Sequence, residues 1–134
     1  LTGAELNEAT LEGADLSRAN LTDAILVNAS LKNTFLIGAD LQRANLQEVN
    51  FEGADMAGVK LRKADLKNAN LKQVDLRRAD LEYADFSKAN LNSANLTGAK
   101  MSEGIFTSAN LTGAKMESTD TTDANFKDAI GHKK

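Results

Sequence analysis

The chain has 134 residues, a formal net charge of −3 and only 4% aromatic residues, and it contains neither cysteine nor proline. The lack of cysteine excludes disulfides, thiolate metal sites and cysteine nucleophiles, and no apolar run approaches the roughly 18 residues of a membrane-spanning helix. We therefore expect one domain without membrane insertion, organised by something other than an aromatic core.

A large apolar residue recurs at every fifth position from Leu1 to Phe126, and Thr121 is the only polar residue in the series. A small residue, usually Ala, precedes each one by two positions. In an α-helix, five residues advance the chain by about 500°, so the leucines would scatter around the helix axis. In a continuous strand, an odd spacing would place successive leucines on opposite faces. The pattern therefore predicts a short extended segment and a corner in every unit, which together wind the chain into a solenoid.

The units include ADLSR, ANLTD, ADLQR, ADLKN, ADLRR and ADFSK. They resemble the pentapeptide-repeat family, whose consensus is A-(D/N)-L-x-x and whose members are abundant in cyanobacteria. The resemblance implies an all-β fold, a right-handed quadrilateral parallel β-helix with four repeats per 20-residue coil. On that fold the chain has about 26 repeats in about 6.5 coils. We expect residues 1–130 to form one β-helix domain and residues 131–134 a polar tail in which His132 is solvated.

The interior of the solenoid is predicted from the apolar positions of the repeat. The expected core ladder consists of Leu21, Leu26, Leu41, Leu46, Phe51, Met56, Leu61, Leu66, Leu81, Phe86, Phe106 and Phe126. Residues 20 apart would lie on neighbouring coils at a spacing of about 4.8 Å. The rings of Phe86, Phe106 and Phe126 are therefore predicted to stack.

The same spacing predicts columns of exterior side chains. One column, Asn50, Asn70, Asn90 and Asn110, is predicted to form a ladder of amide hydrogen bonds. Two further columns alternate in charge and predict favourable pairs between coils. These are Asp40, Lys60, Asp80, Lys100 and Asp120, and Glu12, Lys32, Glu52 and Lys72.

The two ends depart from the repeat in different ways. Leu1 already occupies a core position, so we expect a terminal cap to be absent or to have been removed. Near the other end, Thr119 and Thr121 replace the small and apolar residues of the consensus, which predicts a weakened last coil.

No set of residues predicts catalysis or metal binding. The columns Asp55/Asp75 and Asp65/Asp85 could bring carboxylates together, but the residue between Ala and Leu is the Asp/Asn position of every repeat. We therefore expect no enzyme activity, no metal, no cofactor and no small-molecule substrate.

Basic residues concentrate between positions 60 and 100. On a four-sided rod they would be distributed over all faces, whereas a nucleic-acid site needs one basic face. A nucleic-acid partner is therefore not expected.

Five apolar residues occupy outward positions of the repeat: Ile25, Val27, Phe35, Ile37 and Ile105. They are candidate contact residues for a protein partner or another copy of the chain. Ile25 and Val27 would lie on one face of a coil, and Phe35 and Ile37 on the opposite face of the same coil. Ordinary β-propensity on an exposed surface would also explain them. A monomer and an end-to-end or lateral homo-oligomer both remain open.

These features favour a non-catalytic structural or protein-binding scaffold. The alternative, taken from another branch of the family, is a DNA-mimicking inhibitor or modulator of a type II topoisomerase such as gyrase. Mimicry needs a dense negative surface, which a net charge of −3 does not provide. The compartment stays open between the cytoplasm and, where a signal has been removed, the periplasm or thylakoid lumen.

Overall fold

The five-residue unit is a turn followed by a single residue that pairs with the next coil. A computed structural model describes residues 1–132. Within this range there are no helices and no strands longer than one residue. Instead, every fifth residue from Glu5 to Ile130 forms a parallel β-bridge, and each bridge joins residues 20 apart, from Glu5–Ile25 to Asn110–Ile130. One coil is therefore 20 residues long and contains four units, as predicted.

The bridging residues form four columns, which define the four faces of the rod. Face 1 contains residues 5, 25, 45, 65, 85, 105 and 125; face 2 contains 10, 30, 50, 70, 90, 110 and 130; face 3 contains 15, 35, 55, 75, 95 and 115; and face 4 contains 20, 40, 60, 80, 100 and 120. Each bridging side chain points outward, because the residues on both sides of it in the repeat point inward.

Backbone hydrogen bonds hold each coil to the next. The Leu66 N–H donates to the carbonyl of Asp85 at 2.7 Å, and the N–H of Asp85 donates back to the carbonyl of Ala64 at 3.0 Å. Within the unit, the Ala69 N–H closes the turn on the carbonyl of Leu66 at 3.0 Å. Because this pattern recurs along the rod, the interior coils satisfy their backbone groups without helices or long strands.

Every turn from Gly3 to Asp128 has a positive φ at its second turn residue. A type II turn requires this sign at the same position, and glycine adopts it without strain. Most of these positions carry other residues, such as Arg43 with φ 58° and Tyr83 with φ 60°. A left-handed conformation costs an L-residue about 1–2 kcal/mol, and the repeated hydrogen bonds and core burial offset that cost.

The core consists of the large apolar residue and the small residue of each unit. Between Leu21 and Leu111 these side chains are fully buried. Every residue of the predicted core ladder has 0% exposure except Phe126, which is partly buried and packs against the core. Phe126 and the apolar residues of the first coil are less buried because a coil covers them on one side only.

The predicted stacking of the three phenylalanines is confirmed. The ring centroids of Phe86 and Phe106 are 5.0 Å apart, and those of Phe106 and Phe126 are 5.1 Å apart. Gly104 replaces the usual Ala beside this column. A Cβ atom at this position would approach the Phe106 ring to 2.8 Å and the Met101 carbonyl oxygen to 3.0 Å.

The predicted solvated position of His132 is wrong. Its ring lies parallel to that of Phe126 at a centroid distance of 3.8 Å and extends the aromatic column. Gly131, with φ 77°, passes close to the backbone of Leu111 and Thr112, where no Cβ would fit. Stacking covers part of the apolar Phe126 ring, and this burial stabilises the stacked position of His132 relative to a fully solvated one. The remainder of the predicted tail, Lys133 and Lys134, lies outside the described residues.

Candidate contact surface

Phe35 and Ile37 form an exposed apolar pair on face 3, which we call the Phe35 patch. Phe35 occupies the bridging position, and Ile37 is the first turn residue that follows the buried Leu36. The side chains of Phe35 and Ile37 remain 48% and 44% exposed. The inward positions on either side are already filled, so the repeat forces both apolar side chains toward solvent.

The other three candidate residues do not join this patch. Ile25 and Val27 lie on face 1 of the same coil and are half-buried, because Ile25 is bridged by Glu5 and Asn45. Ile105 is 38% exposed and also lies on face 1, but it is separated from Ile25 by four coils. The structure thus divides the five candidates among three locations, and the Phe35 patch is the most exposed of them.

The carboxylates beside the patch are bonded to their own backbone. Asp15 and Asp55 bridge to Phe35 from the two neighbouring coils. The backbone N–H of Ser17 donates to Asp15 and lowers the pKa of that carboxyl below its usual value. The N–H of Ala57 donates in the same way to Asp55 Oδ1 at 3.3 Å. This bond explains the Asp/Asn position of the repeat, since either side chain supplies an oxygen that accepts the N–H two residues on.

A shallow depression adjoins the patch at the corner between faces 3 and 4. It has a volume of about 550 Å³ and is lined by Ala57, Gly58, Arg77, Arg78 and Thr97. Arg77 donates to Asp75 at 2.7 Å, and this hydrogen bond lowers the pKa of the Asp75 carboxyl. The depression was not predicted from the sequence, although the 20-residue interval places Gly38 and Gly58 in one column.

The predicted ladder of asparagine amides is largely wrong. Only Asn70 Nδ2 and Asn50 Oδ1 are joined, at 3.3 Å, among the four members of that column. In every one of the four, Oδ1 instead accepts the backbone N–H two residues further on. Because this bond satisfies the amide oxygen within its own turn, the oxygen does not depend on an amide of the next coil as a donor.

The two alternating charge columns also form no ion pair within 4.0 Å in residues 1–132. The ion pairs that do form involve other positions. Arg43 contacts Asp23 at 2.9 Å, Arg62 contacts Glu82 at 2.6 Å, and Lys67 lies between Asp65 and Asp85. Side-chain reach and rotamer, not column membership alone, determine which exposed charges meet.

Tyr83 is an exposed aromatic residue that the sequence analysis did not single out. It is 46% exposed at a corner, and the Arg62 guanidinium lies 5.0 Å from its ring centroid. Arg62 also pairs with Glu82, so the three side chains form a small surface cluster. This cluster accounts for the contacts of Tyr83 within the chain, and no apolar neighbour extends it into a patch.

Carboxylate and histidine groups do not gather into a metal site in the described part of the chain: no group of three or more His, Cys, Asp or Glu residues there could hold a metal ion. No helix among residues 1–132 is long and apolar enough to span a bilayer.

Residues 1–36, 24–62, 36–73 and 69–107 match the sequence profile of the family described as pentapeptide repeats, with eight copies. The chain belongs to the pentapeptide-repeat family. A comparison with curated proteins gives no match.

The chain is similar to the crystal structure of HetL, a pentapeptide repeat protein involved in heterocyst differentiation regulation from the cyanobacterium Nostoc sp. strain PCC 7120. The TM-score is 0.95 at 38% sequence identity, over 97% of this chain and 60% of HetL. The chain therefore spans less than two thirds of the length of HetL. This agreement establishes the right-handed quadrilateral β-helix and identifies the chain as a repeat scaffold.

Two further solved structures are similar. Rfr23, a pentapeptide repeat protein from the cyanobacterium Cyanothece 51142, has a TM-score of 0.53 at 25% identity, over 92% of this chain and 88% of Rfr23. A pentapeptide repeat protein from the Arabidopsis thaliana thylakoid lumen has a TM-score of 0.42 at 32% identity, over 78% of this chain and 69% of that protein.

Proposed function

We propose that this chain is a non-catalytic scaffold that binds a partner protein through the Phe35 patch. The observation that carries the proposal is the exposure of two large apolar side chains, Phe35 and Ile37, side by side on a rod whose other apolar residues are mostly inside. A flat, rigid β-surface with an exposed aromatic residue is a typical anchor for a protein interface.

The repeat itself supports this choice of residues. The other bridging positions of face 3 carry Asp15, Asp55, Asp75, Asn95 and Lys115. Phe35 is therefore the one apolar member of its column, and it gains nothing from the core. Covering one such side chain with a partner would contribute on the order of 1–2 kcal/mol.

HetL is involved in heterocyst differentiation regulation and shares 38% of its residues with this chain in the aligned region. We extend a regulatory role to this chain as part of the proposal: the rod would act by occupying a surface of its partner.

We do not extend the proposal to catalysis or to inhibition of a type II topoisomerase. The carboxylates of Asp15 and Asp55 each accept a turn N–H, which is the role of the Asp/Asn position in the repeat. Basic side chains pair with acidic ones on the surface of the rod, whereas imitation of DNA requires a continuous negative surface.

A quantitative pull-down tests the contact. The full chain and the Phe35→Asp/Ile37→Asp variant would be used to capture proteins from a native cyanobacterial lysate. Asn90→Asp/Asn92→Asp is the matched control, because it introduces the same two negative charges at the same two positions of a repeat on face 2. We expect the first variant to lose its partner by at least about tenfold, in line with a hot-spot residue, and the control to retain it.

Circular dichroism of both variants shows whether the rod remains folded. A partner that both variants retain equally would refute the proposed contact. Equal loss from both variants would also refute it, because the effect would then follow added charge rather than the Phe35 patch.

A further inference from the structure

One column of corner residues next to the Phe35 patch has a distinctive composition. At intervals of 20, residues 18 to 98 read Arg18, Gly38, Gly58, Arg78 and Gly98. The two arginines are three coils apart, which corresponds to about 14 Å at the spacing of parallel strands. Two consecutive glycines lie between them.

Gly38 leaves Arg18 without a carboxylate on the following coil, and Gly58 and Gly98 leave Arg78 without one on either neighbouring coil. Arg43 and Arg62 each pair with an acidic residue 20 positions away, Asp23 and Glu82. Arg18 and Arg78, by contrast, form no ion pair within 4.0 Å among residues 1–132. Each guanidinium therefore presents donors that can bind a carboxylate bidentately.

The glycines differ in how far they are covered. The Arg18 stem lies over Gly38, 3.8 Å from the position of a Cβ atom, and the Arg78 stem lies 3.5 Å from the corresponding position at Gly98. A Cβ atom at Gly58 would meet nothing within 4 Å. Gly58 is thus the open floor of a notch that is lined by Ala57, Arg77, Arg78 and Thr97. Ile37 lies one coil before Ala57, at the same position of the repeat.

We propose that this corner receives an acidic peptide segment of the partner protein. A large apolar side chain of the segment packs on Phe35 and Ile37 and reaches the notch at Gly58, while carboxylates on either side bind Arg18 and Arg78. The distance between the arginines corresponds to about four residues of an extended peptide. This inference rests on the proposed function, because it names the chemistry of the partner at the same surface.

The carboxylates of face 3 add direction to this arrangement. Asp15 and Asp55 flank Phe35 and would repel acidic residues placed over the flat face. The acidic residues of the segment are therefore directed to the corner, and its apolar residue to the face. A basic segment would instead be repelled at the corner by Arg18 and Arg78.

Selection from a random peptide library displayed on phage tests the chemistry of the surface directly. The immobilised full chain is the target, and the affinity of selected synthetic peptides is measured by fluorescence anisotropy. We expect the enriched sequences to contain Asp or Glu on both sides of a large apolar residue. Their binding should weaken as salt rises, because exposed ion pairs are screened.

Two variants locate the binding site. Gly58→Gln would fill the notch without adding charge, and the turn accepts this residue because Gln73 occupies the same position with a φ of 58°. Gly13→Gln is the matched control, since Gly13 also has a positive φ and open space around its Cβ position. Arg78→Glu reverses one charge.

We expect Gly58→Gln and Arg78→Glu each to weaken peptide binding by about tenfold, the effect of losing one charged hydrogen bond or a well-packed contact. Gly13→Gln should leave it unchanged. The inference would be overturned if the selected peptides were basic or uncharged. It would also be overturned if the immobilised chain enriched peptides no more than an unrelated immobilised β-helix protein does.

The results also separate this inference from the proposed function. Loss of binding in Phe35→Asp/Ile37→Asp but not in Gly58→Gln or Arg78→Glu would retain the Phe35 patch as a contact and reject the acidic segment. Sedimentation of the full chain supplies a further outcome. A dimer that Phe35→Asp/Ile37→Asp dissociates would assign the patch to a second copy and reject a peptide occupant.

Discussion

For the substitution Gly104→Ala, the consensus of the repeat and the packing of this rod predict opposite effects on stability. Ala is the usual residue at this position of the repeat, and the φ of Gly104 lies outside the left-handed region. On these grounds alone the change should stabilise the chain by about 0.4–1 kcal/mol, because Ala restricts the unfolded state. The structure predicts the opposite sign.

The magnitude follows from the contacts that the new methyl group would make. Its carbon would lie 2.8 Å from Cε2 of Phe106 and 3.0 Å from the backbone oxygen of Met101. The ring cannot move freely, because it is stacked between Phe86 and Phe126 at about 5 Å on each side. Overpacking of this kind costs about 1–3 kcal/mol, so we expect a net loss of about 1 kcal/mol after the unfolded-state gain.

Urea denaturation followed by circular dichroism measures the change in the free energy of unfolding. The double variant Gly104→Ala/Phe106→Leu supplies the control, since removing the ring should reduce the cost of the methyl group. We expect Gly104→Ala to cost less in the Phe106→Leu background than in the wild type, and the difference is the coupling energy. A Gly104→Ala variant as stable as the wild type, or more stable, would refute the reasoning.

Three further predictions concern the core, a charge pair and a turn. Leu66→Ala, in a fully buried coil, should lose about 3–5 kcal/mol in urea denaturation, whereas Leu6→Ala, in the partly buried first coil, should lose less than half as much. The folded-state pKa of Asp75 is lowered by its hydrogen bond from Arg77. Its stabilising contribution should therefore be present above the unfolded value of 3.8 and be lost as pH falls through the folded value. Measured against Asp75→Asn, the stability difference at neutral pH should disappear in acid; a constant difference would contradict this. Gly58→Asn should change the free energy of unfolding by less than about 0.5 kcal/mol, whereas Gly58→Val should lower it by about 2 kcal/mol. The reason is that asparagine tolerates a positive φ and β-branched residues do not. Equal stability of the two variants would show that the turn imposes no such requirement.

The fold could be predicted almost completely from the sequence. The five-residue period placed the apolar and small residues inside, and the resemblance to the pentapeptide-repeat family supplied the four-sided coil. Interior positions are strongly specified, because moving Leu66 or Phe86 outward would expose a large apolar side chain. The predicted stacking of Phe86 on Phe106 follows from the same register.

The candidate contact surface could be predicted only in part. Phe35 and Ile37 were found because they interrupt a polar position of the repeat. The sequence also placed Ile25 and Val27 on the opposite face of the same coil, and in the structure Ile25 lies on face 1 and Phe35 on face 3. The open notch at Gly58 depends on which side chains lean over their neighbours, and the five-residue pattern does not specify that.

The sequence by itself therefore determined the interior and the outward positions of this rod, since these follow from alternation and burial, and the resemblance to the family supplied the coil length. Only the tertiary structure decided the contacts among outward side chains, such as the pairing of Lys67 with Asp65 and Asp85 and the packing of His132 on Phe126. Each of these surface contacts contributes on the order of 1 kcal/mol or less and depends on side-chain reach and rotamer. The repeat pattern does not encode those properties.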